Sequence, residues 1–156
     1  MRKELAKFLK EKMDIDERVC LVTGDCGQSL FDNIIKSHPN RIWNFGITEQ
    51  SSIAHLSGMS RGLKPWYYSI TPFALERPYE FIKLDLVSQN ANVKVVGYWA
   101  YENDGVTHKT QDVKGTCKQL GIKLYQPKDS KETREFLEKT YNLNEPAFIS
   151  LGRDLC

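Results

Sequence analysis

The chain has no apolar run approaching the roughly 18 residues of a membrane-spanning helix, so no membrane role is expected. Its 22 Lys and Arg stand against 20 Asp and Glu, a net charge of only +2. That balance gives no electrostatic case for nucleic acid or an anionic lipid surface as a partner. The four cysteines, Cys20, Cys26, Cys117 and Cys156, form no C-x-x-C pair, so structural zinc is not expected. Reduced thiols in a cytoplasmic protein are the default reading. The opening Met1-Arg2-Lys3-Glu4-Leu5-Ala6-Lys7-Phe8-Leu9 is charged throughout and has no signal-peptide core. Neither G-x-G-x-x-G nor a P-loop occurs, which argues against a nucleotide-binding doubly wound domain.

What is present is enough for one folded domain over 1–156. Hydrophobic residues make up 40% and aromatics 11% of 156 residues, sufficient for a substantial core. Leu5, Phe8, Leu9 and Met13 mark one face of an opening helix. Strands are predicted at 19–23, 41–45, 64–70, 93–97, 122–125 and 147–151. Helices are predicted near 31–35, over 48–60, as one long helix over 72–89, over 112–120, and over 130–141 with Ser130 as N-cap. Strands alternating with helices predict an α/β fold: a parallel sheet of about six strands with helices on both faces. Ligands of such folds collect at the C-terminal ends of the strands.

One strand end stands out. Asn44-Phe45-Gly46-Ile47-Thr48-Glu49-Gln50 passes from a strand through a glycine turn into a helix whose apolar positions are Ile53, Ala54, Leu56 and Met59. Glu49 thus falls in a first helical turn flanked by apolar chain. Burial there would raise the pKa of its carboxyl and let it hold or share a proton near neutral pH. The plain alternative is dipole compensation at a helix start.

The strand-end segments, taken in order, resemble the pyrimidine-binding domain of transketolase and deoxyxylulose-phosphate synthase. The matching pieces are Thr23-Gly24-Asp25 with Ser29, the segment 44–50, and Tyr68-Ser69-Ile70-Thr71-Pro72-Phe73. They continue with Arg77-Pro78-Tyr79-Glu80, Asp104-Gly105-Val106-Thr107-His108 and Ser150-Leu151-Gly152-Arg153. The resemblance implies thiamine diphosphate as cofactor. It implies that Glu49 bonds the aminopyrimidine N1′ and favours the imino tautomer that deprotonates the thiazolium carbon. It places Phe73 against the pyrimidine ring, Tyr79 in the pocket wall and Asp25 near the thiazolium. It implies Asp104 and His108 as contacts to the substrate, with His108 also a catalytic candidate, and Ser29 and Arg153 as binders of a sugar phosphate.

Two departures from the family shape the expectation. No G-D-G motif followed by Asn is present, so the diphosphate and its Mg²⁺ (or Ca²⁺) are expected on another polypeptide. The family's usual further domain is also absent, and the opening Met1 favours a split gene over a trimmed chain. The expected assembly is a hetero-oligomer, a heterotetramer, with a diphosphate-binding transketolase-like subunit. The resemblance implies transfer of a two-carbon ketol unit between sugars or sugar phosphates. Tyr98, Trp99 and Tyr101 stand where many transketolases carry a His, which points to an altered substrate pocket. A non-catalytic partner-binding module that kept the fold is the competing reading.

Overall fold

The computed structural model describes residues 1–99, 104–109 and 112–152. Six strands form one sheet: β1 (Val19–Thr23), β2 (Ile42–Asn44), β3 (Lys64–Ile70), β4 (Lys94–Tyr98), β5 (Lys123–Tyr125) and β6 (Ala147–Leu151). Their order is β2-β1-β3-β4-β6-β5, and every pairing is parallel. β1 and β6 are buried along their whole length, as a sheet covered on both faces requires.

Side chains of a strand alternate between faces, and this alternation divides the core in two. Val19, Leu21, Trp66, Tyr68, Val96, Ala147, Ile149 and Leu151 point to one layer. Val22, Tyr67, Val95 and Phe148 point to the other. The first layer is covered by α1 (Arg2–Ile15), which packs on α7 (Ser130–Tyr141) and on the short α2 (Asp32–Ser37). Leu5, Phe8, Leu9 and Met13 of α1 are buried, as their helical spacing predicted. The second layer is covered by α3 (Glu49–Met59), α5 (Tyr79–Phe81) and α6 (Val113–Leu120), with α4 (Thr71–Leu75) lying against the ends of β3 and β4.

The long helix predicted over 72–89 does not exist as one element. α4 stops at Leu75, α5 begins at Tyr79, and residues Ile82–Val87 continue as a π-helix. Pro78 explains the break: it has no N–H to donate and disfavours helical geometry at the residue before it. The wider turn shows in Ser88 N donating to Lys83 O at 3.0 Å and Ala91 N to Leu86 O at 2.8 Å. The N-cap of α7 is Asp129, not Ser130 as the sequence predicts. Asp129 Oδ1 accepts from Glu132 N at 2.8 Å, while Glu132 Oε2 accepts from Lys128 N at 2.7 Å.

The parallel register aligns the C-terminal strand ends. Thr23 lies opposite Asn44 and Tyr68, Ser69 opposite Gly97, and Gly97 opposite Ser150. The residues that follow these positions therefore emerge along one edge, where the site is built.

Candidate active site

Phe45 N donates to Thr23 O at 3.0 Å, carrying the β1–β2 ladder one residue past the strand. The chain then reverses at Gly46, whose φ of 70° lies in the left-handed region that suits glycine. Thr48 precedes α3 and ties the turn by donating from Oγ1 to Phe45 O at 2.7 Å. Glu49 opens the helix and is 5% exposed, a buried helix-head carboxyl as its sequence context predicts.

Its surroundings are not wholly apolar, however. Arg77 Nη1 donates to Glu49 Oε1 at 2.8 Å, a pairing that a reading of local sequence does not include. Among the described residues no group donates to the second oxygen, Oε2. Arg77 also lies over Phe73, with Cζ 3.7 Å from the ring centroid. Phe73 meets His108 edge-on at 4.9 Å between ring centroids. Glu49, Arg77, Phe73 and His108 thus form one continuous chain of contacts, drawn from α3, the turn after α4, α4 itself and the 3-10 turn Val106–His108.

Of the other expected site residues, Asp25, Ser29 and Tyr79 are not members of that chain of contacts. Asp25 and Ser29 occupy the loop after β1, both exposed and both at positive φ, 50° and 64°. Asp25 is tied to Asn44 across the β1–β2 edge. Asp104 is exposed ahead of the His108 turn. Tyr79 packs half-buried against the second core layer and lines a hollow with Glu76, Lys109, Asp112 and Thr116. Arg153 and Tyr101 lie outside the described residues. Tyr98 stacks on Tyr68 at 4.9 Å, within the first core layer, while Trp99 Nε1 donates to Ser150 Oγ at 3.0 Å.

Behind Glu49 the sheet carries polar groups of its own. The hydroxyls of Tyr67, Ser69 and Thr71 are buried and, among the described residues, have no hydrogen-bond partner. Burial raises the Tyr67 phenol's pKa, and the nearby Glu49 charge raises it further. Burial likewise pushes the Cys26 thiol up to about 11, which removes it as a thiolate nucleophile at neutral pH. Arg77 and Asn44 are both letters of the strand-end segments, yet sequence reasoning assigns neither a role. The available signal for Arg77 is its position four residues after Phe73, a spacing at which arginine and an aromatic ring can meet.

A buried acid with one oxygen unpaired among the described residues, beside an exposed-edge aromatic wall, suits a flat polar ring that stacks and offers a hydrogen bond. Among the described residues no group of three His, Cys, Asp or Glu could hold a metal ion. No helix among them is long and apolar enough to cross a membrane. Cys20, Cys26 and Cys117 are free thiols.

Fold and site together define a doubly wound parallel domain that presents a helix-head glutamate and an aromatic wall at its C-terminal strand edge. Within that class the chain belongs to the family described as "Transketolase, pyrimidine binding domain", which matches residues 1–156. It is 32% identical over 127 residues to an apulose-4-phosphate transketolase subunit of Actinobacillus succinogenes, covering 78% of this chain and 41% of that protein. It is 27% identical to the protein of the same description from Phocaeicola vulgatus, covering 97% and 51%. A solved structure described as a split gene transketolase, inactive beta4 tetramer, superposes with a TM-score of 0.87 at 26% identity, over 98% of this chain and 50% of that one. The chain thus spans about half or less of these relatives.

Proposed function

We propose that this chain supplies the pyrimidine-binding half of a thiamine-diphosphate-dependent, transketolase-like enzyme that moves a two-carbon ketol unit between sugars or sugar phosphates. The observation that carries the reading is Glu49: a carboxylate 5% exposed at the head of α3, with Oε2 unpaired among the described residues and Phe73 in the same contact chain. In this reading Glu49 receives and returns a proton at the pyrimidine N1′, Phe73 bears the ring's face, and His108 faces the substrate. When bound, thiamine diphosphate supplies the nucleophilic carbon and the electron sink. The diphosphate and its Mg²⁺ or Ca²⁺ belong to a separate subunit, and the two together form a hetero-oligomer.

The description of two relatives as transketolase subunits, and of the structural neighbour as a split-gene enzyme, supports this division of labour. Exposed apolar side chains near the site fit a partner surface. Ile47, two residues before Glu49, is 70% exposed, and Leu84, in the π-helical segment packed against α3, is 49% exposed.

The test is hydrogen–deuterium exchange at the cofactor's thiazolium carbon, by quench and NMR, in complexes reconstituted with a diphosphate-binding subunit. Glu49→Gln keeps the size and a hydrogen bond but cannot relay the proton, so exchange is expected to fall by about 10²-fold or more. Exchange within about threefold of wild type, well below the usual general acid–base contribution, would remove Glu49 from the chemistry.

A further inference from the structure

The Arg77 guanidinium makes two contacts at once. Its Cζ lies 3.7 Å from the Phe73 ring centroid, and its Nη1 points a hydrogen at Glu49 Oε1 from 2.8 Å. A flat, nitrogen-bearing group stacked on Phe73 and donating to Glu49 is what the aminopyrimidine would be under the function proposed above, on which this inference rests. A separation of 3.7 Å is one van der Waals layer. No second ring fits between Phe73 and a guanidinium already in that layer.

Arg77 is also placed to leave. It sits in the turn between α4 and α5, where Pro78 prevents helix continuation. Its amide is anchored, donating to Pro72 O at 3.1 Å, so only the side chain has to move. That side chain is 41% exposed while that of Glu49 is 6% exposed. A pair with one exposed member is held weakly, and the long side chain swings into solvent without displacing core residues. Until then it spares the buried carboxylate the cost of lacking a partner.

We propose that Arg77 is a gate on the cofactor pocket: in the free chain its guanidinium occupies the aminopyrimidine slot between Phe73 and Glu49, and the incoming ring displaces it. Arg77 thereby sets the affinity for the ring by competing for both of its contacts. It is a positioning residue, and its removal opens the slot.

The experiment is NMR on the isotope-labelled 156-residue chain titrated with thiamine. Thiamine carries the aminopyrimidine and needs no diphosphate site, so millimolar concentrations suffice to probe this half alone. In wild type the Arg77 Nε–H signal should start ring-current-shifted by Phe73 and move to the solvent-exposed value as thiamine saturates. Arg77→Ala should tighten thiamine binding by about fivefold or more, the scale of one half-exposed ion pair plus one cation–π contact. Arg77→Lys, which keeps the charge but not the planar stack, should lie between, and serves as the test should Arg77→Ala fail to fold. If thiamine perturbs the site while the Arg77 signal stays shifted, or if Arg77→Ala binds no tighter, the gate is overturned and the proposed function stands. If thiamine perturbs neither wild type nor the opened variants, both are overturned.

Discussion

Asn44 and Asp25 hold each other in both directions. Asp25 N donates to Asn44 Oδ1 at 3.0 Å, and Asn44 Nδ2 donates back to Asp25 Oδ1 at 3.2 Å. The same Asn44 Oδ1 accepts from Gly46 N at 2.8 Å. One amide therefore fixes the left-handed Asp25 loop and the turn that aims Glu49. Asn44→Ala should cost about 1–2 kcal/mol, since two backbone donors and one carboxylate lose a partner at an exposed site. Urea denaturation reads that cost. A loss of only a few tenths of a kcal/mol would mean the loops hold their shape without Asn44.

Asp16 ties distant parts of the chain at the opposite end of the sheet. It accepts from Arg18 N, Nε and Nη2, from Tyr141 Oη at 2.8 Å, and pairs with Lys64 Nζ at 3.0 Å. The Arg18 hydrogen bond, more than those of Tyr141 and Lys64, holds the carboxyl far below its ordinary value of 3.8. The folded pKa is depressed, so this stabilisation is present above the unfolded value and disappears as pH falls below it. Asp16→Asn should therefore cost about 2–3 kcal/mol at neutral pH. The gap between variant and wild type should narrow steadily from about pH 4 downward, as seen in urea midpoints measured against pH. A gap that stays constant down to about pH 2 would contradict the assignment.

The elements were legible wherever one physical signal dominated. β1 and β6 are mostly apolar runs, with one hydroxyl each in Thr23 and Ser150, bounded by turn residues on both sides, and the structure has the same ends. The 72–89 segment carries helical spacing on both sides of Pro78, and that spacing concealed the break and the π-turn. Asp129 and Ser130 are both good caps, and only the Glu132 amide, which bonds Asp129, separates them. At the site, Gly46 and Glu49 announce a strand-to-helix turn through local chemistry. The Glu49–Arg77 pair spans 28 positions and depends on how α3 packs near the turn after α4, which no local pattern encodes. His108 meets Phe73 for the same tertiary reason.

Ile47 is 70% exposed beside the site, and a large apolar residue there gains from cover by another chain. Light scattering at micromolar concentration should find the isolated chain self-associated through this face. Ile47→Asp should shift it toward monomer while lowering its stability by no more than about 0.5 kcal/mol, the usual range for a surface change. An unaltered oligomer would place the interface elsewhere.

Gly97 couples the sheet to the aromatic wall. A Cβ there would lie 2.7 Å from Phe148 Cζ, 2.9 Å from Thr71 Oγ1 and 3.0 Å from Thr71 Cα. Phe148 is fully buried in the second core layer, and Thr71 opens α4, the helix that carries Phe73. The phenyl ring has no open space to enter, and the Thr71 contact is partly backbone, so relief requires α4 to move off the sheet. Gly97→Ala should therefore destabilise the chain by about 1–3 kcal/mol, the range for overpacking a filled core. A shift of α4 also changes where Phe73 meets Arg77 and His108. The Arg77 Nε–H signal should then lose part of its ring-current shift even under conditions where the variant is fully folded. Gly97→Ser adds a hydroxyl to the same clash and should be at least as costly. Unfolding curves for both variants, with the Arg77 signal recorded on the folded protein, decide the matter. A Gly97→Ala chain as stable as wild type, with that signal unmoved, would show that α4 is not seated on β4 as closely as these distances require.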